Sequence, residues 1–175
     1  MHLLVETERG LLHVEQETVP CAIGKGGACR AGDKHEGDGC TPLGLWPVRG
    51  ALLRPTTGLI PPPTLPWRWL RPTDGWSDDP ADPAYNRPVR HPHAFSAEHM
   101  WRDDALYDAV LVLGHNDAPP VAGAGSAIFL HLRGDKPTEG CVAIDRDTMA
   151  TVLARLAPGS TVDIRRYIGD APPLG

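Results

Sequence analysis

The 175-residue chain is poor in lysine, in aromatic side chains and in long apolar runs. Its three lysines are Lys25, Lys34 and Lys136, and 17 Lys+Arg against 22 Asp+Glu leave a formal net charge of −5. An acidic chain without a basic stripe lacks the electrostatic footprint of a nucleic-acid binder. No window approaches 18 consecutive apolar residues, so no membrane-spanning helix is expected. The opening MHLLVETERG has no positively charged start and too short an apolar run for a secretory signal. Cysteine is also scarce, and none of the four (Cys21, Cys29, Cys40, Cys141) forms a CxxC pair, which argues against a zinc ribbon or a thioredoxin-type motif. The first three hold either one disulfide, with Cys29 and Cys40 flanking a Gly-rich loop, or none. With His35 they match no zinc-module spacing, so no metal is expected.

What is present is a 41% hydrophobic chain with 19 Gly and 19 Pro, enough apolar residues for a core and enough turn formers to limit helix. Its length suits a single domain over residues 1–175. Leu3 to Ile23 has a period near two around Arg9-Gly10 and predicts a β-hairpin. Gly24 to Gly44 reads as a loop, and Leu45 to Pro55 as one or two short strands. Residues 56 to 93 form a long tract rich in Pro and Trp, expected as a wrapped, packed loop because Trp67, Trp69 and Trp76 seek burial. Ser96 is placed to cap a short helix through about Asp103. Ala105 to Asn116, Ser126 to Leu132 and Gly140 to Ile144 read as strands. Asp145 to Gly159 reads as a helix with a Met149, Val152, Leu153, Leu156 stripe, and TVDIRRYI as a last strand. The class is therefore mainly β with one or two short helices.

The stretch Gly125 to Ile144, GSAIFLHLRGDKPTEGCVAI, carries the candidate chemistry. A strand delivers His131, and after a polar loop Gly140-Cys141 opens the next apolar segment. A cysteine with a histidine nearby in the fold is the minimal arrangement for thiol catalysis, the imidazole taking the thiol proton. Glycine before the cysteine lets a carbonyl approach the backbone, and the Cys141 amide can donate to a developing oxyanion. The bland reading is a small buried hydrophobe beside a histidine that bonds a carbonyl. Other polar residues divide the same way. His115 and Asn116 either line the cleft or make an ordinary turn. Arg87 either clamps a substrate carboxylate or pairs with Asp82, and Arg133 either binds a carboxylate or faces solvent. Glu36 and Asp38 are expected to bond the backbone of their own loop.

The pattern strand, His131, loop, Thr138-Glu139-Gly140-Cys141 resembles the signature of the YkuD-type L,D-transpeptidase catalytic domain. Upstream, Gly24-Lys25 and Thr41-Pro42-Leu43-Gly44-Leu45 resemble that family's Gly-Lys start and Thr-Pro-x-Gly turn. The tract from Asp79 to Asp117 is similar to a bacterial subgroup that runs without accessory modules. The resemblance implies a β-sandwich-like, mostly antiparallel domain acting on peptidoglycan stem peptides. It implies Cys141 as nucleophile, His131 as base and later acid, and a backbone carbonyl near Leu132 orienting the ring. The acyl-enzyme then passes to an amine or to water, without metal or cofactor, in the periplasm or cell envelope. The chain departs from the pattern at Glu139, where a second His is usual, at Ala143, where Asn or Arg is usual, and in a His-to-Cys separation of only ten. The alternatives are a wall-binding or structural module without turnover, and a cytoplasmic peptidase or amide transferase. A Cys141 thiolate formed well below the ~8.5 of free cysteine would separate catalysis from binding.

Overall fold

A computed structural model describes residues 1–169. The fold is mainly β, as expected. The predicted hairpin is present as β1 (His2–Glu6) and β2 (Leu11–Val14), joined through Gly10 at a φ of 61° that glycine adopts without steric cost. It continues into β3 (Glu17–Pro20) as an antiparallel meander. The Gly-rich segment is mostly loop, with a short strand β4 (Ala28–Arg30) and one 3-10 turn at Ala31–Asp33. Of the two arrangements open to its cysteines, the structure has the Cys29–Cys40 disulfide, with a Cα separation of 5.9 Å.

The segment from Leu45 expected as one or two short strands belongs instead to one strand of 13 residues, β5 (Thr41–Leu53), which also takes Thr41 to Gly44 from the expected loop. Its first half pairs with β13 (Thr161–Arg165), and its second half with β10 (Ala109–Leu113). Pro42 and Pro47 lie in the first half without ending it. β5 thus joins both halves of a ten-stranded sheet, whose remaining members include β6 (Trp67–Trp69), β11 (Phe129–Leu132) and β12 (Val142–Ile144). The strands β10, β11 and β12 are shorter than the apolar runs that contain them.

The Pro/Trp-rich tract is not a plain loop. It contributes β6, β7 (Asp74–Ser77) and β8 (Pro88–Arg90), and only Trp76 of its three tryptophans is buried. Trp67 and Trp69 are 39% and 44% exposed and stack edge to face at 4.9 Å. The helix predicted from Ser96 is absent. Ala97–His99 is β9, which pairs with β7 and completes a three-stranded sheet in the order β8-β7-β9. An eight-residue helix would be marginal without packing, and the open edge of β7 offers ready hydrogen bonds instead. The C-terminal helix is α1 (Arg146–Leu153), capped by the Asp145 carboxylate, which accepts from Thr148 N. Its buried stripe is as predicted, with Leu156 packed just beyond the helix end.

Two cores result. The main one takes Leu130, Leu132, Val142 and Ile144, together with Met149, Val152 and Leu153 of α1. The second lies between the large and small sheets and takes Trp76, Tyr107, Val110, Phe129 and Cys141. Side chains alternate along a strand, so β11 and β12 present one set to each core.

Candidate active site

Cys141 and His131 project from the same face of the sheet. In the parallel pair of β11 and β12, Leu130 is opposite Val142 and His131 opposite Ala143, which sets Phe129 beside Cys141. The thiol is therefore two residues along and one strand across from the imidazole, an offset of roughly 6.6 Å by about 4.8 Å between backbones. Both line one cavity of about 730 Å³.

The loop that carries Cys141 is tied in place by the three motifs that stand apart in the chain. Thr138 Oγ1 donates to Cys141 O (2.6 Å) and accepts from Gly140 N (3.2 Å). Thr41 Oγ1 donates to the same carbonyl (3.3 Å) and accepts from Gly24 N (2.8 Å). The Thr138 backbone bonds Ile23 O and Lys25 N, at 3.0 and 2.8 Å. Glycine is required at two of these positions. A Cβ on Gly140, whose φ is +136°, would stand 2.9 Å from Cys40 O, and one on Gly24 would stand 2.1 Å from Gly39 O. The Thr-x-Gly-Cys spacing is thus a hydrogen-bonded turn, and Gly24 and Thr41 are its supports.

The thiol is 8% exposed, donates to Ala127 O (3.2 Å) and accepts from Phe129 N (3.4 Å). Burial first, and then the Glu98 carboxylate, push its pKa up to about 12. The resting thiol is protonated, contrary to the low-pKa thiolate that sequence reasoning set as the mark of catalysis. His131 is also buried, and burial holds its pKa below the ordinary value, so the ring is neutral near pH 7. Its Nδ1 lies 2.8 Å from Leu132 O. A carbonyl only accepts, so Nδ1 carries the proton and Nε2 keeps its lone pair. The Leu132 carbonyl thus stands where the resemblance places the group that orients the ring.

Sequence reasoning missed one wall of the cavity. The Tyr107 ring meets His131 edge to face at 5.1 Å, and its hydroxyl donates to Glu98 Oε1 at 2.6 Å. Arg102 lies over the Tyr107 ring at 5.1 Å. Burial raises the Glu98 carboxyl above its ordinary range. Glu98 was assigned to a helix, so its inward direction from β9 beside Trp76 was hidden. Glu36 also lines the cavity, and it departs from expectation by accepting from Tyr85 OH (2.5 Å) and Ser126 Oγ (2.8 Å). Asp38 does bond its own loop, at His35 N and Cys40 N, both 2.9 Å.

Four predicted residues stand away from the cavity. His115 is buried, with Nε2 3.1 Å from Ala124 O and its ring against Trp46. Asn116 organises the next loop through Val121 N, Val121 O and Gly125 O, which is the ordinary-turn reading. Arg87 donates to Asp117 O (2.7 Å), not to Asp82, whose carboxylate is held by His93 and Ser77. Arg133 is exposed and near Cys21, in the main core. Glu139, at a position of departure, is 75% exposed and pairs with Lys25 Nζ at 2.7 Å. Ala143 bonds Ala22 through both backbone groups at 2.8 Å and shows only a methyl to the cavity. Cys29, Asp38 and Cys40 cluster closely, but the disulfide consumes the two thiols that a metal would need.

The fold is mainly β, with a cysteine and an oriented histidine lining one cavity. The chain matches the model of YkuD, the L,D-transpeptidase catalytic domain, over residues 2–164, and it belongs to that family. A comparison with curated proteins finds no match.

Proposed function

We propose that the chain is an L,D-transpeptidase that acts on peptidoglycan stem peptides through an acyl-enzyme on Cys141, as one catalytic domain. The observation that carries this reading is a neutral His131 in the same cavity as Cys141, its Nδ1–H given to Leu132 O so that the Nε2 lone pair is the one that accepts a proton. As the donor peptide enters, the thiol proton passes to His131 Nε2 and the sulfur attacks the carbonyl carbon. Gly140 N is taken by Thr138 Oγ1, which leaves the Cys141 amide as the donor to the oxyanion. Collapse breaks the C–N bond, and the leaving amine takes the proton back from the imidazolium. An acceptor amine then attacks the thioester, gives its proton to His131 and releases the thiol. Water in place of the amine trims the stem.

The lining of the cavity supports an amine acceptor over water alone. Glu36, Asp78, Glu98, Asp104, Asp135 and Glu139 face two cations, Arg102 and Lys136. A cavity of one sign concentrates ligands of the other. The disulfide supports a site in the periplasm or cell envelope, since such bonds persist in oxidising compartments.

The test is intact-mass analysis after incubation with a donor tetrapeptide or a carbapenem. Wild type should gain one adduct on Cys141, and Cys141→Ala and His131→Ala should gain none. A second reading, a wall-binding module without turnover, is favoured by the buried thiol that donates to Ala127 O. Wild type that binds wall fragments yet never acylates would establish it.

A further inference from the structure

Lys34 is the one lysine of the chain that is buried, its side chain 3% exposed. Its ammonium donates to Asp38 Oδ1 and to His35 O (3.3 Å). Two glycines in left-handed conformations make room for it. A Cβ on Gly125 (φ +87°) would lie 2.8 and 2.9 Å from Lys34 Cγ and Cε, and one on Gly140 would lie 3.6 Å from Nζ. Lys34 thus lies beside both segments that hold the thiol. One is the Gly140–Cys141 peptide, and the other is the strand-free stretch leading to Ala127, whose carbonyl takes the thiol hydrogen.

We propose that Lys34 is a positioning residue for Cys141: its ammonium, anchored by Asp38 in the disulfide-closed loop, lies behind the Gly140–Cys141 peptide and sets a buried positive charge beside the thiol. The inference rests on the reading of Cys141 as nucleophile. The charged and titratable groups around the sulfur are His131 from β11, Tyr107 ahead of β10, Glu98 from β9, and Lys34 from the disulfide loop. His131 is neutral near pH 7, and Glu98 opposes thiolate formation. Lys34 is the cation that favours it. Asp38 is held below the ordinary carboxyl range: burial acts against this, but the His35 amide, Lys34 and the Cys40 amide outweigh it. Lys34 also faces His115 across Gly125. Its position behind the peptide, outside the cavity lining, keeps it from contact with substrate.

The experiment measures iodoacetamide labelling of the intact protein between pH 7 and 10, resolved by peptide mass for Cys141 and Cys21. Lys34→Met alone leaves Asp38 buried without a partner and invites unfolding of the loop, so Lys34→Met/Asp38→Asn is the deciding variant. With the disulfide intact and Cys21 labelling unchanged, the expected result is labelling of Cys141 about tenfold slower at pH 9, equivalent to a rise of about one pKa unit. Asp38→Asn, whose amide oxygen still accepts from the ammonium, should leave the Cys141 rate at or above wild type provided the disulfide and Cys21 labelling are unchanged. A wild-type Cys141 rate in the double variant overturns the proposal, as does an equal slowing in Asp38→Asn, since packing alone then explains it. Failure of wild type to acylate with donor peptide sinks the nucleophile reading separately, because thiol labelling is read without substrate.

Discussion

Cys21 and Cys141 are the two free thiols among the described residues, and by burial alone they are hard to tell apart. They are 6% and 8% exposed, and burial pushes both up to about 12. Their surroundings differ. Cys21 packs in the main core among aliphatic side chains, with the Arg133 charge outside. Cys141 sits in the second core, bonds Ala127 O and Phe129 N, and borders a cavity shared with an oriented imidazole. Depth and proton affinity therefore do not separate the two thiols. A neighbouring imidazole and an adjoining cavity do.

The sharpest way to break this comparison is to delete each sulfur. On the function proposed above, Cys141→Ala should abolish acyl-enzyme formation, because no sulfur remains to carry the acyl group. Cys21→Ala should leave the rate within about twofold and cost about 1 kcal/mol of stability. Single-turnover mass spectrometry and thermal melts read both, and a comparable loss of acylation in the two variants would erase the distinction.

Next in size is the disulfide. Opening the Cys29–Cys40 loop, with a sequence separation of 11, in Cys29→Ser/Cys40→Ser should cost about 3 kcal/mol on the chain-entropy estimate. The Cys40 carbonyl packs against Gly140, so Cys141 labelling should change while Cys21 labelling does not. Equal changes at both thiols would mean that the disulfide supports the whole fold and not the nucleophile loop.

A smaller effect appears in the pH dependence of stability. Each thiol is raised in the folded chain from 9.0 to about 12, so the unfolded state loses the proton first as pH rises. Their contribution is complete below pH 9 and falls away from there towards pH 12. The sign reverses in acid. His131 and His115 are lowered by burial, so stability is complete above their ordinary 6.5 and is lost as pH falls below it. Melting temperatures from pH 5 to 11 should decline at both ends. Cys21→Ala and Cys141→Ala should each flatten the alkaline decline, and an unchanged decline in both would show that the thiols do not cause it.

Much of the fold was legible because periodicity survives where a strand has one buried face, as in β1 and β2, because a continuous apolar run marks a strand buried on both faces, as in β10 and β11, and because α1 has a stripe. It failed where tertiary pairing decided. Thr41 to Leu53 looked broken because Pro42, Gly44 and Pro47 interrupt the pattern, yet different neighbours pair with its two halves. Ser96 to Asp103 carried helix signals that the edge of β7 overrode. At the candidate site, Cys141, His131 and Gly140 came from the residues themselves, and Thr138 and the Leu132 carbonyl from the family resemblance. Tyr107, Glu98 and Lys34 did not, since their roles depend on contacts across β9, β10 and the disulfide loop. His115, Asn116, Arg87 and Arg133 have plausible chemistry, but they occupy a strand-end turn, a neighbouring loop and the opposite face.

The smallest expected effect concerns Glu139, which replaces the histidine that the family pattern usually has before Gly-Cys. Its ion pair with Lys25 spans 2.7 Å, but the two side chains are 75% and 59% exposed. Water and salt screen such a pair, so Glu139→Gln should change stability by less than about 0.5 kcal/mol. The backbone of this residue leads into the Gly140 turn, which is fixed by Thr138 Oγ1 and not by the Glu139 side chain. Acylation of Cys141 should therefore be nearly unchanged in Glu139→Gln, while use of a cationic acceptor should weaken slightly as one of six cavity carboxylates is lost. An acylation rate lowered tenfold would place Glu139 in the chemistry of the thiol, and the Lys25 pair would then orient a reacting group and not merely cover the loop.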